Sequence, residues 1–262
     1  MEGLQQLMTA VGERPLLAFA LTLARIAPLF LLAPLFSNKQ FPLRARGVCA
    51  VALAVGLTPI AAKGATVPDD PFTLAGIVGK ELLVGAAFAY AVGAVITAVS
   101  IAGSYVDTLI GFSFGGLIDP VSGNQSTIIA QVYGLVATLI FVAIGGDAWL
   151  LQGLARTYEL VPLTDAPALG PLVEGVQHAV VGIAAGAIEV AAPILLALVI
   201  TDAAFGVVSR VMPQLNVFAV GFPAKVVVGL LLIGVTLPFV AGWMSDELQR
   251  SVATALRSIH VG

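Results

Sequence analysis

Residues 111–115 read Gly-Phe-Ser-Phe-Gly, the G-x-S-x-G pattern that in α/β hydrolases presents a nucleophilic serine on a strand-to-helix turn. For Ser113 to act, a histidine base must reach it and an acid must orient that base. The chain has two histidines, His178 and His260. His178 is expected at a loop edge, and His260 is third from the last residue. The segment leading into Ser113, AVGAVITAVSIAGSYVDTLI, reads as helix rather than strand. Serine chemistry is therefore not expected, and five-residue patterns arise by chance in a chain with 28 glycines. Three ionisable residues carry the other chemical possibility: Arg25 and Glu189 lie inside apolar stretches and Asp202 at the end of one. Charges in hydrocarbon are costly and usually paired or functional. An Arg25–Glu189 pair reads in three ways: an ion relay in a small secondary transporter, a structural pair, or two residues facing wet gaps between subunits. Cys49 is alone, so with two histidines no Cys/His metal cluster can be built. No metal or cofactor is expected, although a carboxylate site stays open.

The elements that would hold these residues are membrane-like. Of 262 residues, 59% are hydrophobic and 10% charged, with a mean hydropathy of +1.03, against roughly 25% charged residues in a soluble domain. The formal charge of −3 gives no basic surface for nucleic acid. Glu2 stands where a signal peptide would carry positive charge, so residues 1–14 read as a retained polar lead.

Six apolar stretches stand out: Leu16–Phe36, Val48–Ala62, Leu82–Ala102, Thr127–Gly145, Ala179–Thr201 and Val226–Met244. An isolated strand cannot satisfy its backbone in hydrocarbon, so each is expected to be helical and the fold all-α, built from membrane-associated hairpins. The second stretch, at 1.5 Å per residue, reaches only about 22 Å, short of a roughly 30 Å hydrocarbon layer. Pro28 and Pro34 in the first invite kinks. Alternating the segments puts Lys39, Arg44, Arg46, Arg210 and Lys225 on one side and Arg14, Lys63, Lys80, Arg156, Arg250 and Arg257 on the other. That balance sets no orientation. It fits hairpins held in an assembly as well as an ordinary polytopic protein. Gly85, Ala89, Gly93 and Thr97, and again Gly182 and Gly186, form flat helix faces.

The stretch around Ser113 has another physical meaning. Gly111, Gly115, Gly116 and Gly123 break a helix, and Asp119-Pro120 followed by Ser122-Gly123-Asn124 is turn chemistry. Yet Phe112, Phe114, Leu117 and Ile118 are too apolar for a water-exposed loop. Irregular backbone is tolerated in an apolar setting only where it is buried in protein or lines a cavity. An apolar constriction can close a pore, so the segment reads as a flexible plug or as a re-entrant connector that fills space.

Three stretches together resemble the FliR family of flagellar export gate proteins, whose injectisome counterpart is SctT. They are Ala27–Ile60 (APLFLLAPLFSNKQFPLRARGVCAVALAVGLTPI), Gly111–Ser126 (GFSFGGLIDPVSGNQS) and Ser209–Lys225 (SRVMPQLNVFAVGFPAK). Gly146-Asp147 departs from the Gly-His of many members. The resemblance implies a structural subunit, not an enzyme, in the bacterial inner membrane at the flagellar basal body. It would assemble with FliP and FliQ into a helical, cone-like gate, contacted by FlhB and traversed by unfolded flagellar proteins. Residues 1–175 would be FliP-like and contain the loop 111–125; residues 176–262 would be a FliQ-like helical hairpin with a C-terminal tail. Carried over by residue, the resemblance makes Gly111, Phe112, Ser113, Phe114, Gly115, Gly116, Leu117, Ile118, Asp119 and Pro120 the pore plug. It gives Arg210, Pro213, Gln214, Asn216, Phe218 and Pro223 a role in assembly.

Overall fold

The computed structural model describes residues 13–33, 42–63, 70–112, 128–163, 165, 169–214 and 216–259. Among these the regular structure is helical, in seven segments: α1 Glu13–Leu32, α2 Leu43–Ala61, α3 Pro71–Ile110, α4 Ile128–Ala143, α5 Gly146–Leu160, α6 Leu169–Val211 and α7 Val217–Ser258. The all-α expectation holds, and five of these helices, α1, α2, α3, α6 and α7, are long and apolar enough to cross a membrane. The chain is a membrane protein.

Helix lengths differ from the apolar stretches in a consistent direction. The second stretch was expected to be too short to span; α2 instead has 19 residues, about 28 Å at 1.5 Å per residue. Arg44 and Arg46 end the hydrophobic run but are good helix formers, so the helix starts earlier, straight after Pro42. The same effect makes α3, α6 and α7 run for 40, 43 and 42 residues, each about twice the roughly 30 Å hydrocarbon thickness. His178, expected at a loop edge, lies inside α6, exposed, with its Nδ1 beside the Glu174 carbonyl of the preceding turn.

Local chemistry sets the ends. Asp70 caps α3: its Oδ2 accepts from the Thr73 amide at 2.9 Å and the Thr73 hydroxyl at 2.7 Å, with Pro71 in the first-turn position that needs no donor. Gly145, at φ 71°, separates α4 from α5. The left-handed region is open to glycine without a Cβ clash. Asp147 then sits exposed in the first turn of α5, where the helix dipole favours a negative charge.

The residues fall into two compact units, with boundaries inside the three long helices and between α4 and α5. The first takes in Met1–Ala94, Gly145–Val180 and Leu248–Gly262. Here α1 packs on α2 and α2 on α5, around Ala18, Leu21, Ala61, Tyr158 and Leu163. A second cluster joins Val84, Val161, Leu172 and Ile259. The second unit takes in Val95–Ile144 and Val181–Glu247. Small residues let its helices approach closely. A Cβ on Gly103 would lie 2.8 Å from the Ala130 Cα of α4, and one on Gly229 would lie 2.5 Å from Ile110.

Candidate functional site

Two arrangements carry polar chemistry, one in each unit. In the first, Arg25 of α1 is fully buried. Its guanidinium donates from Nε to Glu81 Oε2 at 2.5 Å and from Nη2 to Glu81 Oε1 at 3.0 Å, the fork geometry that suits a carboxylate. The remaining donors go to the Thr157 carbonyl at 2.8 Å, the Thr157 hydroxyl at 3.2 Å and the Val161 carbonyl at 2.8 Å. The Tyr158 ring covers the cation, 4.2 Å from ring centroid to guanidinium carbon. Lys80 adds an ion pair to Glu81 Oε1 at 2.8 Å. It also donates to the carbonyls of Pro162, Leu163 and Asp165 at 3.1, 2.7 and 2.8 Å.

Two cations therefore share one carboxylate, and the excess positive charge meets the carbonyls at and just beyond the end of α5. The last turn of a helix leaves carbonyls without intrahelical donors and carries the negative end of its dipole. Arg25 and Lys80 satisfy that end from α1 and α3. Gly85, one turn past Glu81, lets α3 reach the backbone of α1, because a Cβ there would collide with the Arg25 carbonyl. This is a fully satisfied structural clamp.

In the second unit the focus is the root of the glycine-rich segment. Ser113, Phe114, Gly115, Gly116, Leu117, Ile118, Asp119 and Pro120 lie outside the described residues; Gly111 and Phe112 lie within them. Gly111 follows the last residue of α3 at φ 105°, a conformation that favours glycine. Its amide still donates to the Asp107 carbonyl at 2.9 Å. The buried Asp107 side chain reaches across to the start of α4, where Oδ1 accepts from the Ile129 amide at 3.1 Å. One carboxylate thus ties together the two helix ends from which residues 111–127 depart. Phe112 stacks edge-on against Phe222 of α7, with centroids 6.0 Å apart and planes at 81°.

The third motif supplies that partner. Arg210 lies exposed in the last turn of α6, and Pro213 and Gln214 form the exposed turn that follows. Asn216 caps α7, its Oδ1 accepting from the Ala219 amide at 3.2 Å. Phe218 lies in the first turn of α7, and Pro223 is inside that helix. Just beyond, Lys225 pairs with Asp202 of α6 at 2.8 Å.

A family model described as bacterial export proteins, family 1, matches residues 16–251. The flagellar biosynthetic protein FliR of Bacillus subtilis is 32% identical over 220 residues, covering 82% of this chain and 84% of that protein. FliR of Escherichia coli is 26% identical over 219 residues, covering 84% of each. Yop proteins translocation protein T of Yersinia pestis is 30% identical over 228 residues, covering 84% and 86%. The chain belongs to the FliR/SctT family of bacterial export proteins. As a member it is a subunit of a type III export apparatus.

For a FliR-family chain, one expectation about the charged residues needs correction. The buried ion pair is Arg25–Glu81, not Arg25–Glu189. Glu189 is exposed on α6 and accepts a hydrogen bond from the Trp243 indole at 2.8 Å. Its helix turns it outward because Gly186, Ala187 and Val190 take the inner face. Sequence reasoning passed over Glu81, Lys80, Asp107 and Phe222. Asp107 carried a usable signal, an acidic residue inside the apolar run SYVDTLI, the same signal that singled out Arg25.

Proposed function

We propose that this chain is a non-enzymatic structural subunit of the flagellar type III export gate, sited in the inner membrane at the basal body. With FliP and FliQ homologues, and in contact with an FlhB homologue, it forms the channel through which unfolded flagellar proteins pass. Residues 111–125 are the apolar plug of the closed pore. Residues 1–175 are the FliP-like part and 176–262 the FliQ-like hairpin, with the boundary in the opening turns of α6. Arg210, Pro213, Gln214, Asn216, Phe218 and Pro223 act in assembly.

The observation that carries the plug reading is Phe112 against Phe222, beside a root held by the Asp107–Ile129 hydrogen bond. The glycine-rich segment begins with an aromatic ring lodged on the third family motif. An edge-to-face pair contributes on the order of 1 kcal/mol beyond area burial. It favours one position of a segment without locking it. A gate needs that balance, because it must hold back ions at rest and yield to a passing chain. The transporter reading loses its central pair, since Glu81 already neutralises Arg25.

The test is deletion of Phe112–Ser122, with ion leakage and motility measured in cells and assembly checked by co-purification of the partner subunits. A complex that still forms and leaks is the expected result. A complex that forms, stays tight and supports normal motility reduces the segment to a connector. Ser113→Ala should leave motility unchanged, and labelling of Ser113 by a serine-reactive probe would revive the hydrolase reading.

A further inference from the structure

Glu189 stands on a face of α6 that also carries Ile188, Leu196 and Ile200, which are 56%, 64% and 60% exposed. Its carboxylate is held in place. The Trp243 indole of α7 donates to Oε2 at 2.8 Å, and Gly186, one turn earlier, makes room for the ring, since a Cβ there would lie 2.6 Å from it. The indole is a neutral, donor-only group. It orients the carboxylate without neutralising it. No Lys, Arg or His of the described residues is paired with Glu189.

The surrounding face is apolar, so whatever covers it strips water from the carboxylate. Such a group then needs a cation and further hydrogen bonds. Lipid tails supply neither. We propose that Glu189 is a docking point for a Lys or Arg carried mid-helix by a partner subunit, whose helix lies along the exposed apolar face of α6. This rests on the assembly reading above and adds to it a site and the chemistry of the group that occupies it.

The test is co-expression of the tagged chain with the partner subunits, detergent extraction, and measurement of partner recovered per tagged chain. Wild type is compared with Glu189→Gln and Glu189→Lys, with melting temperature followed in each. Recovery should fall about tenfold or more for Glu189→Gln, as expected when a desolvated charge loses its counterpart, and further for Glu189→Lys. Reversing one mid-helix Lys or Arg of a partner to Glu should restore recovery with Glu189→Lys. That rescue requires a folded chain, so a loss through misfolding gives no rescue and overturns the proposal. Recovery equal to wild type in both variants also overturns it. So does a loss confined to self-association of the tagged chain, which would make the occupant a second copy. If the wild-type chain itself recovers no partner, the assembly reading falls first and this inference with it.

Discussion

The Arg25 clamp and the root of the glycine-rich segment solve opposite problems. In the clamp, a buried guanidinium has all its donors satisfied, by Glu81, by Thr157 and by the Val161 carbonyl, and an aromatic ring closes over it. At the root, the Asp107 carboxylate accepts from the Ile129 amide and an edge-on aromatic pair seats Phe112 on Phe222. Charge-assisted, multiply bonded contacts in low dielectric are expensive to break. One carboxylate–amide bond and one aromatic edge contact cost less to break than that multiply bonded set. The densest charge-assisted bonding therefore lies where α1, α3 and α5 meet, and the root is held by a carboxylate–amide bond and an aromatic edge contact.

The contrast breaks most severely at Arg25. Replacing it with alanine leaves Glu81 buried with only Lys80 beside it, a loss of about 3–5 kcal/mol for half of a buried pair. We expect little folded Arg25→Ala chain in detergent, and an Arg25→Met, Glu81→Leu double variant that recovers much of the melting temperature. A double variant no better than the single one would mean that the α5 carbonyls, not the carboxylate, are the main contribution. Next comes Asp107→Ala. It strips the partner from the Ile129 amide, an effect of about 1–3 kcal/mol for a buried donor left unpaired. Because the damage is local to the root, ion leakage should rise while assembly with partner subunits persists. Leakage unchanged from wild type would show that the two helix ends stay together without this bond.

How much of this was legible in the sequence depends on which physical signal each residue carries. The all-α class and a connection between the last two apolar stretches were readable, because apolar runs are local signals. Arg25 was readable as a charge in an apolar run, but its partner was not. Lys80-Glu81 sits just before the stretch that begins at Leu82 and looks like a solvated edge. Glu and Lys are good helix formers, so the helix continues through them and hydropathy marks an end that the backbone does not have. The same cause hid the start of α2, at Arg44 and Arg46, and the C-terminal end of α7, where Asp246, Glu247 and Arg250 follow the apolar run. Phe222 was invisible for a different reason: an aromatic residue in an apolar helix has no local mark that distinguishes a lodging partner from ordinary packing.

Phe222→Ala tests the weak side of the comparison. It removes the edge-on contact with Phe112, worth about 0.5–1.5 kcal/mol beyond area burial, from a side chain that is already 43% exposed. Melting should hardly change while leakage rises modestly, and Phe222→Tyr, which keeps the ring, should behave as wild type. A large drop in melting temperature would instead make Phe222 a core residue and remove the argument for a reversible lodging.

The smallest effect belongs to Asp70, which makes the same kind of bond as Asp107 but in water. Its carboxylate is held below its usual value of 3.8, chiefly by the Thr73 hydroxyl and then by the Thr73 amide. A carboxylate whose native pKa is depressed contributes stability that is present above the unfolded value and lost as pH falls through the native one. Asp70→Ala should therefore lower the melting temperature slightly at neutral pH, and the gap to wild type should close on acidification below about pH 4. Asp107→Ala should keep its leakage phenotype wherever the cells grow. If Asp70→Ala proved as disruptive as Asp107→Ala, burial would not be what gives the carboxylate at the root its weight, and the distinction between a solvated cap and a buried tie would fail.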